Sequence, residues 1–475
     1  MKSESVMRKT KIICTIGPAT ESLEMLQRLY NAGMNVVRLN MSHGDHASHA
    51  RVIAAARQLN AAVPYPVALM LDTQGPEIRT GALHQDLQLH EGDVITVNVR
   101  SGENVEETSF QINYEDLLEA VDPGDRITVD NGLINLEVLE KQERALRCRV
   151  VDGGTLKSRR HVNLPGIKVN LPAITNKDKR DILFGIEQGI DFVALSFVRE
   201  ASDVTQLRQL LAEHGGDSIK IIAKIEDQEG VKNLESIIDV ADAIMVARGD
   251  LGVEIPLEKL PSVQRKIVRL CAEKGKRVIV ATHLLESMIV NPLPTRAEVT
   301  DVANAVYEEV DAIMLSGETT VGKYPVRCVE FLDRIARETE LSRGLRFYEN
   351  LRSDIDKQHL AASAVQLAES LKAPAIVVIT RRGVMANYVA NCRPRYAEIH
   401  AFTNDERTCQ QLALNYATFG HRIEFHGDTE AMLLQAFAKL REQHQISAAA
   451  KVVVVSDIIA ADGVDAVQVR EIGKA

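Results

Sequence analysis

From Thr10 onward the chain repeats one pattern: a short run of consecutive apolar residues, then a stretch with apolar residues at helical spacing. The runs are TKIICTIG, NVVRLNMS, PVALMLD, DFVALSF, IKIIAKIE, AIMVARGD, RVIVATH and AIMLSGE. Segments such as LEMLQRLYNAG and PSVQRKIVRLCAEKG separate them, the second stopping at Lys274-Gly275. Strands apolar on successive positions are buried on both faces, which means a parallel sheet. Eight such β/α units are the number that closes a (β/α)8 barrel, so the pattern predicts a TIM barrel.

One connection breaks the rhythm. After PVALMLD, about a hundred residues pass before TNKDKRDILFGIEQG resumes it. They include LQLHEGDVITVNV, GDRITVDNG and RALRCRVVDGG, with turn chemistry at Glu91-Gly92-Asp93, Asp122-Pro123-Gly124 and Asn131-Gly132. We expect a small β-barrel domain over 74–171, inserted after the third strand of a catalytic barrel formed by 1–73 and 172–345. Past Glu340, the runs AIVVIT, EIHAFT, HRIEF, KVVVVSD and AVQVREI predict a doubly wound α/β domain over 346–475. A length of 475 residues agrees with about three domains.

A net charge of −10 argues against a general nucleic-acid or membrane surface, though not against a local phosphate pocket. The six cysteines show no CxxC pair and no metal-ligand spacing, and most sit in apolar stretches as reduced core thiols. No signal-like region precedes the first strand, and no apolar run approaches the ~20 residues of a membrane span. The expected compartment is the cytoplasm.

In a TIM barrel the site lies at the carboxyl ends of the strands, so polar residues there are informative. Strand two ends in Arg38, Asn40, Ser42 and His43, strand three in Asp72 and Thr73, and strand five in Lys224 and Glu226. Strand six ends in Arg248 and Asp250, strand seven in Thr282 and His283, strand eight in Ser316 and Glu318. Lys224 and Glu226 are two apart and point to one side. Glu226 and Asp250, two carboxylates from neighbouring strands beside a lysine, suit a hard divalent cation. Asn40, Ser42, Asp72 and Thr73 mix one carboxylate with neutral oxygens, which suits a monovalent ion better. Arg38 and Arg79 add forks for phosphate. One such residue alone is as readily a rim salt bridge; the full set points to phosphoryl transfer between highly anionic substrates. His43 is expected to hydrogen-bond structurally near the phosphates, and the remaining histidines are unassigned.

At these residues the chain resembles the pyruvate kinase family, through KTKIICTIGPAT, NAGMNVVRLNMSHG, LDTQGPEIRTG, IIAKIEDQEG, MVARGDLGVEIP, NPLPTRAEVTDVANAV and DAIMLSGETTVGKYP. The resemblance implies transfer of a phosphoryl group from phosphoenolpyruvate to ADP, giving pyruvate and ATP, the final step of glycolysis. It implies Mg²⁺ (or Mn²⁺) at Glu226 and Asp250, and K⁺ at Asn40, Ser42, Asp72 and Thr73. Lys224 and Arg38 would stabilise the phosphoryl group in flight. Asn40, His43 and Arg79 would face the nucleotide. Backbone N–H groups of Ala247, Arg248, Gly249 and Asp250 would take the substrate carboxylate, and Thr282 and Ser316 would lie where the enolate is protonated. His283, beside Thr282, is expected to point away from it on the strand. A homotetramer, a lid motion of the β domain and an allosteric C-terminal domain are also implied. The loop Thr380, Arg381, Arg382, Gly383 is the candidate site for a phosphorylated sugar effector. Gln74, Glu200, His283 and KSRRH depart from the commoner family pattern, and KSRRH with AFTNDER and QVREI is similar to the plastid-type branch and its bacterial relatives. Glu77, in GP-x-IR, ties the chain to members that need K⁺. Two other readings stay open from the residues alone: a Mg²⁺-dependent TIM-barrel lyase or aldolase working through a pyruvate enolate, and a non-catalytic metabolite sensor on the same scaffold.

Overall fold

The computed structural model describes residues 7–99, 109–130, 132–167, 169–425, 429–444, 446–456 and 466–474. Eight strands form a closed barrel: β1 Lys11–Thr15, β2 Val36–Asn40, β3 Ala68–Asp72, β4 Phe192–Leu195, β5 Lys220–Ile225, β6 Ala243–Ala247, β7 Arg277–Ala281 and β8 Ala312–Leu315. Each pairs in parallel with the next, and β8 returns to β1 with Lys11 opposite Ala312. Side-chain alternation explains the unbroken apolar runs. Ile13, Val36, Met70, Ala194, Ile222, Met245, Ile279 and Met314 fill the lumen. Their neighbours Cys14, Val37, Leu71, Val193, Ile221, Ile244, Val280 and Ile313 pack under the surrounding helices.

Between β3 and β4 lies the inserted β unit. Its main sheet has six strands in the order Val162–Asn163, Arg126–Val129, Ile134–Lys141, Ala145–Asp152, Val94–Val99 and Ser109–Ile112. The expected small barrel is a curled sheet. Its two edges approach one segment, where Arg79 bridges His161 and Thr80 bridges Ile112. Two residues serving both edges leave one bridge to each side, so no continuous strand closes the ring. The unit buries its own core, including Val97, Phe110, Ile127, Leu136 and Leu146. Of the expected turns, Asn131 lies outside the described residues.

The last unit carries β9 Ala375–Ile379, β10 Glu398–Thr403, β11 Thr418–Arg422, β12 Lys451–Ser456 and β13 Ala466–Glu471, in the order β11-β10-β9-β12-β13. All pairs are parallel except that of β12 and β13. Separate apolar clusters cover its two faces, as a doubly wound sheet requires. It docks on the amino-end base of the barrel: Leu414 joins the lumen cluster from below, and Lys11 Nζ donates to the Thr418 carbonyl at 2.6 Å. All six cysteines are free, five of them buried. Among the described residues no helix is long and apolar enough to cross a membrane.

Candidate active site

The lumen-facing parity of each strand, continued past its last apolar residue, brings polar groups together at the carboxyl-end rim. β1 ends in Thr15, β2 in Arg38 and Asn40, β3 in Asp72; the chain beyond β4 supplies Ser196, and β5 supplies Lys224 and then Glu226. Asp72 is completely buried and sits between two cations. Arg38 Nε donates to Oδ2 at 2.7 Å and Lys224 Nζ to Oδ1 at 3.0 Å. Burial works to raise the Asp72 carboxyl, but Arg38 and Lys224 outweigh it and hold it below the ordinary carboxylate range. Lys224 Nζ also donates to Ser196 Oγ at 2.6 Å and lies 3.0 Å from Glu226 Oε1. Arg38 Nη1 donates to Thr15 Oγ1 at 2.8 Å. Thr15 and Ser196 were not singled out from sequence, although counting parity from Ile13 and Ala194 would have found them.

Glu226 has its second oxygen fixed by the Phe197 N–H at 2.6 Å. That N–H is aimed by a left-handed residue, since Phe197 has φ 52°. Burial pushes the Glu226 carboxyl up to about 7 despite the pull of Lys224, and burial also raises its neighbour Asp250. Two carboxyls displaced in this direction are short of positive charge, the condition a divalent cation relieves. The donor set fits such an ion.

Asn40 Oδ1 accepts from the Ser42 amide at 3.1 Å. The Thr73 hydroxyl is already spent, donating to the Ala194 carbonyl and accepting from the Ser196 amide. His43 is exposed, while its carbonyl meets His49 Nε2 at 2.9 Å.

The rim over β6 to β8 differs from expectation in one respect. Thr282 and His283 are not strand residues: both follow β7 in left-handed conformations, φ 68° and 54°. Alternation therefore does not turn His283 away, and both side chains flank Gly249, whose added Cβ would lie 3.5 Å from Thr282 Oγ1 and 3.6 Å from His283 Cε1. The Thr282 hydroxyl accepts from the Gly249 N–H at 2.7 Å and donates to the Ala281 carbonyl at 2.6 Å. Ala247 precedes the helix Arg248–Glu254, as expected of a strand-to-helix turn. The Arg248 side chain, however, is locked on the Thr282 carbonyl at 2.7 Å and Asp301 at 2.7 Å. Glu318 accepts from the amides of Leu285 and Ser316, tying two rim loops together. Ser316 Oγ is buried without a hydrogen-bond partner.

The β unit reaches over this rim. His161 Nδ1 stands 3.9 Å from Asp250 Oδ1, and Asn163 Nδ2 donates to Glu254 at 2.8 Å. Neither contact is visible in a linear sequence. A cleft of about 430 Å³ runs beside them between Pro76, Asn163, Phe197 and Lys232. Arg79 pairs with Glu77 at 2.6 Å, and Glu77 also accepts from Gln74 at 3.1 Å. Glu200 caps the helix Ala201–Glu213 and is exposed.

Thr380, Arg381, Arg382 and Gly383 lie far from this rim, joining β9 to the helix Val384–Asn391. Arg381 and Arg382 are exposed, and Thr380 is buried. Arg382 and Gly383 border a cavity of about 680 Å³ at the barrel base, with Lys220, Lys276 and Arg277 on the opposite wall.

Comparison with known proteins gives one answer. A family model described as pyruvate kinase, barrel domain, matches residues 7–329, and one described as pyruvate kinase, alpha/beta domain, matches 358–469. Plastidial pyruvate kinase 2 of Arabidopsis thaliana is 43% identical over 460 residues, covering 95% of this chain and 78% of its own. The pyruvate kinase of Geobacillus stearothermophilus is 46% identical over 437 residues, covering 90% and 73%. Pyruvate kinase isozyme G, chloroplastic, of Nicotiana tabacum is 45% identical over 438 residues, covering 91% and 77%.

Proposed function

The chain belongs to the pyruvate kinase family, and from that premise we propose how its own residues carry the transfer of the phosphoryl group of phosphoenolpyruvate to ADP, giving pyruvate and ATP. One observation carries the assignment of roles: Lys224 is a buried ammonium held within 3.0 Å of Asp72 and Glu226 at the catalytic end of the barrel. A cation fixed in advance stabilises charge developing on a transferring group without reorganising during the reaction. Arg38, clamped on the same Asp72, is the second fork for the phosphoryl oxygens. Phosphoryl transfer asks chiefly for such positioning and neutralisation.

Glu226 and Asp250 would hold Mg²⁺ or Mn²⁺, which supplies Lewis-acid neutralisation of phosphate and enolate oxygens when bound. Asn40, Ser42, Asp72 and Thr73 would hold K⁺. The substrate carboxylate would meet the backbone of Ala247, Arg248, Gly249 and Asp250, competing with the Thr282 hydroxyl for the Gly249 N–H. Thr282 and Ser316 border the place where the enolate carbon takes its proton, and the unpartnered Ser316 hydroxyl supports a relay there. Asn40, His43 and Arg79 face the nucleotide. The domains we assign are 1–73 with 172–345, 74–171 and 346–475. The working form is a cytoplasmic homotetramer serving glycolysis, a compartment supported by the free thiols. The Arg381–Arg382 turn takes a phosphorylated sugar that regulates it.

The test is pyruvate formation from phosphoenolpyruvate with Mg²⁺ and K⁺, with and without ADP. Pyruvate and ATP should appear together and only with ADP. Pyruvate release at an equal rate without ADP would overturn the phosphotransfer roles.

A further inference from the structure

The C-terminal sheet carries a group of side chains that the phosphotransfer site does not use. His400 lies on β10 and His421 on β11, with Phe402 opposite His421 and Phe419 opposite His400. The two histidines are thus offset by two positions on one sheet face. Leu433, Phe437 and Leu440 of the helix Thr429–His444 cover that face. His444 ends the same helical stripe and drops onto the two strand histidines. One ring nitrogen of each histidine lies within 4.8 Å of the other two, and His400 Nδ1 stands 3.0 Å from His421 Nε2. His400 and His421 are 0% and 2% exposed.

We propose that His400, His421 and His444 form a binding site for a borderline divalent transition-metal ion, of which Zn²⁺ is the type, separate from the catalytic cation. Three imidazoles without a hard oxygen set select Zn²⁺, Co²⁺ or Ni²⁺ over Mg²⁺. Behind them Glu398 Oε2 lies 3.3 Å from His400 Nε2 and 3.7 Å from His444 Nδ1. A carboxylate on the far nitrogen of a ligating histidine orients the ring and raises its basicity. With Nε2 turned to Glu398, the His400 nitrogen facing the other rings is Nδ1. Zn–N bonds of about 2.0–2.1 Å set tetrahedral nitrogens about 3.4 Å apart, so modest ring rotations close the set. Tyr65, from the loop before β3, contacts His444 with its hydroxyl. Lys11 Nζ, over the Phe419 ring, and Lys439, which acts on His421, are opposing charges nearby, and Glu398 offsets them. A bound ion would tie β10, β11 and the end of the helix together against the barrel base.

The test uses full-length protein freed of metal with a chelator, in the Glu226→Gln, Asp250→Asn background so that the catalytic ion does not contribute. Co²⁺ and Zn²⁺ are titrated alone, followed by Co²⁺ absorption and by metal retained through gel filtration. One equivalent should bind in this background. His421→Phe and His444→Gln, added singly, should each weaken it by more than about tenfold, and Zn²⁺ should raise the thermal midpoint only where all three histidines are present. Circular dichroism establishes that each variant folds; His444→Gln, at a helix end, is the variant least able to disturb the core. Absence of a retained equivalent, or affinity unchanged from the parent background in either folded histidine variant, overturns the proposal.

Discussion

At the scale of single residues, the charge count around Lys224 decides what the site lacks. Arg38 and Lys224 face three carboxylates, Asp72, Glu226 and Asp250, and Glu77 pairs with the partly exposed Arg79. Removing Lys224 deletes the one ammonium at the centre. Lys224→Met should lower turnover by a few orders of magnitude, about 3–5 kcal/mol, and change phosphoenolpyruvate affinity much less. Steady-state kinetics separate the two, and turnover within about tenfold of wild type (~1.4 kcal/mol) would take Lys224 out of the mechanism. Glu226→Gln and Asp250→Asn each delete a hard anionic ligand and should raise the Mg²⁺ concentration needed for half-maximal rate. Unchanged Mg²⁺ titrations in both would move the metal elsewhere. Glu77 allows a third test. Its negative charge adds to that at Asp250, so a nearby empty monovalent site is worse for it. The wild-type enzyme should be activated by K⁺ over Na⁺ at constant ionic strength, which holds screening fixed. Glu77→Lys should relieve part of that requirement and lose some maximal rate, because the lysine meets Arg79 rather than a prepared partner. Full wild-type activity without K⁺ would sink this argument.

At the scale of elements, strand periodicity made most of the rim legible. A lumen residue such as Ile222 fixes the direction of Lys224, and Met70 that of Asp72, so sequence alone places both at the rim. The same counting reaches Ser196 and Thr15, but small hydroxyls carry no chemical signal that prompts the count. Legibility ended where the strand does. Thr282 and His283 adopt a left-handed turn that nothing in RVIVATH announces, and the alternation rule failed there. The lock of Arg248 on the Thr282 carbonyl and the reach of His161 to Asp250 depend on elements distant in sequence, which periodicity cannot pair. The turn after β7 yields its own prediction. Thr282 holds the Gly249 N–H, whereas His283 is exposed beside it. Thr282→Ala should slow turnover strongly, and His283→Gln should leave it nearly intact. Comparison of the two rates checks this, and the reverse order would make His283 the proton-handling group.

At the scale of the whole molecule, the barrel and the C-terminal unit are joined by an ion cluster that no motif foretold. Asp311, just before β8 and completely buried, accepts from Arg277 of the barrel at 3.2 Å and from Arg393 of the C-terminal unit at 2.9 and 2.8 Å. The amides of Val278 and Tyr416 complete its shell at 3.0 and 3.3 Å. Burial alone would raise the Asp311 carboxyl; Arg393 and Arg277 outweigh it and hold it below the usual carboxylate range. The folded value is thus depressed relative to about 3.9 in the unfolded chain. The stabilisation is fully present above that value and is lost as pH falls through the folded one. Asp311→Asn leaves two buried guanidinium groups without their anion, a change that costs about 3–5 kcal/mol. Arg393→Met should cost less, since Arg277 still pairs with Asp311. Thermal midpoints followed from pH 7 to pH 3 should show Asp311→Asn well below wild type at neutral pH, with the gap starting to close below about pH 4, where the unfolded wild-type chain takes up a proton that folded Asp311 still refuses. Curves that stay parallel to pH 3 would show that the Asp311 charge does not hold the two units together.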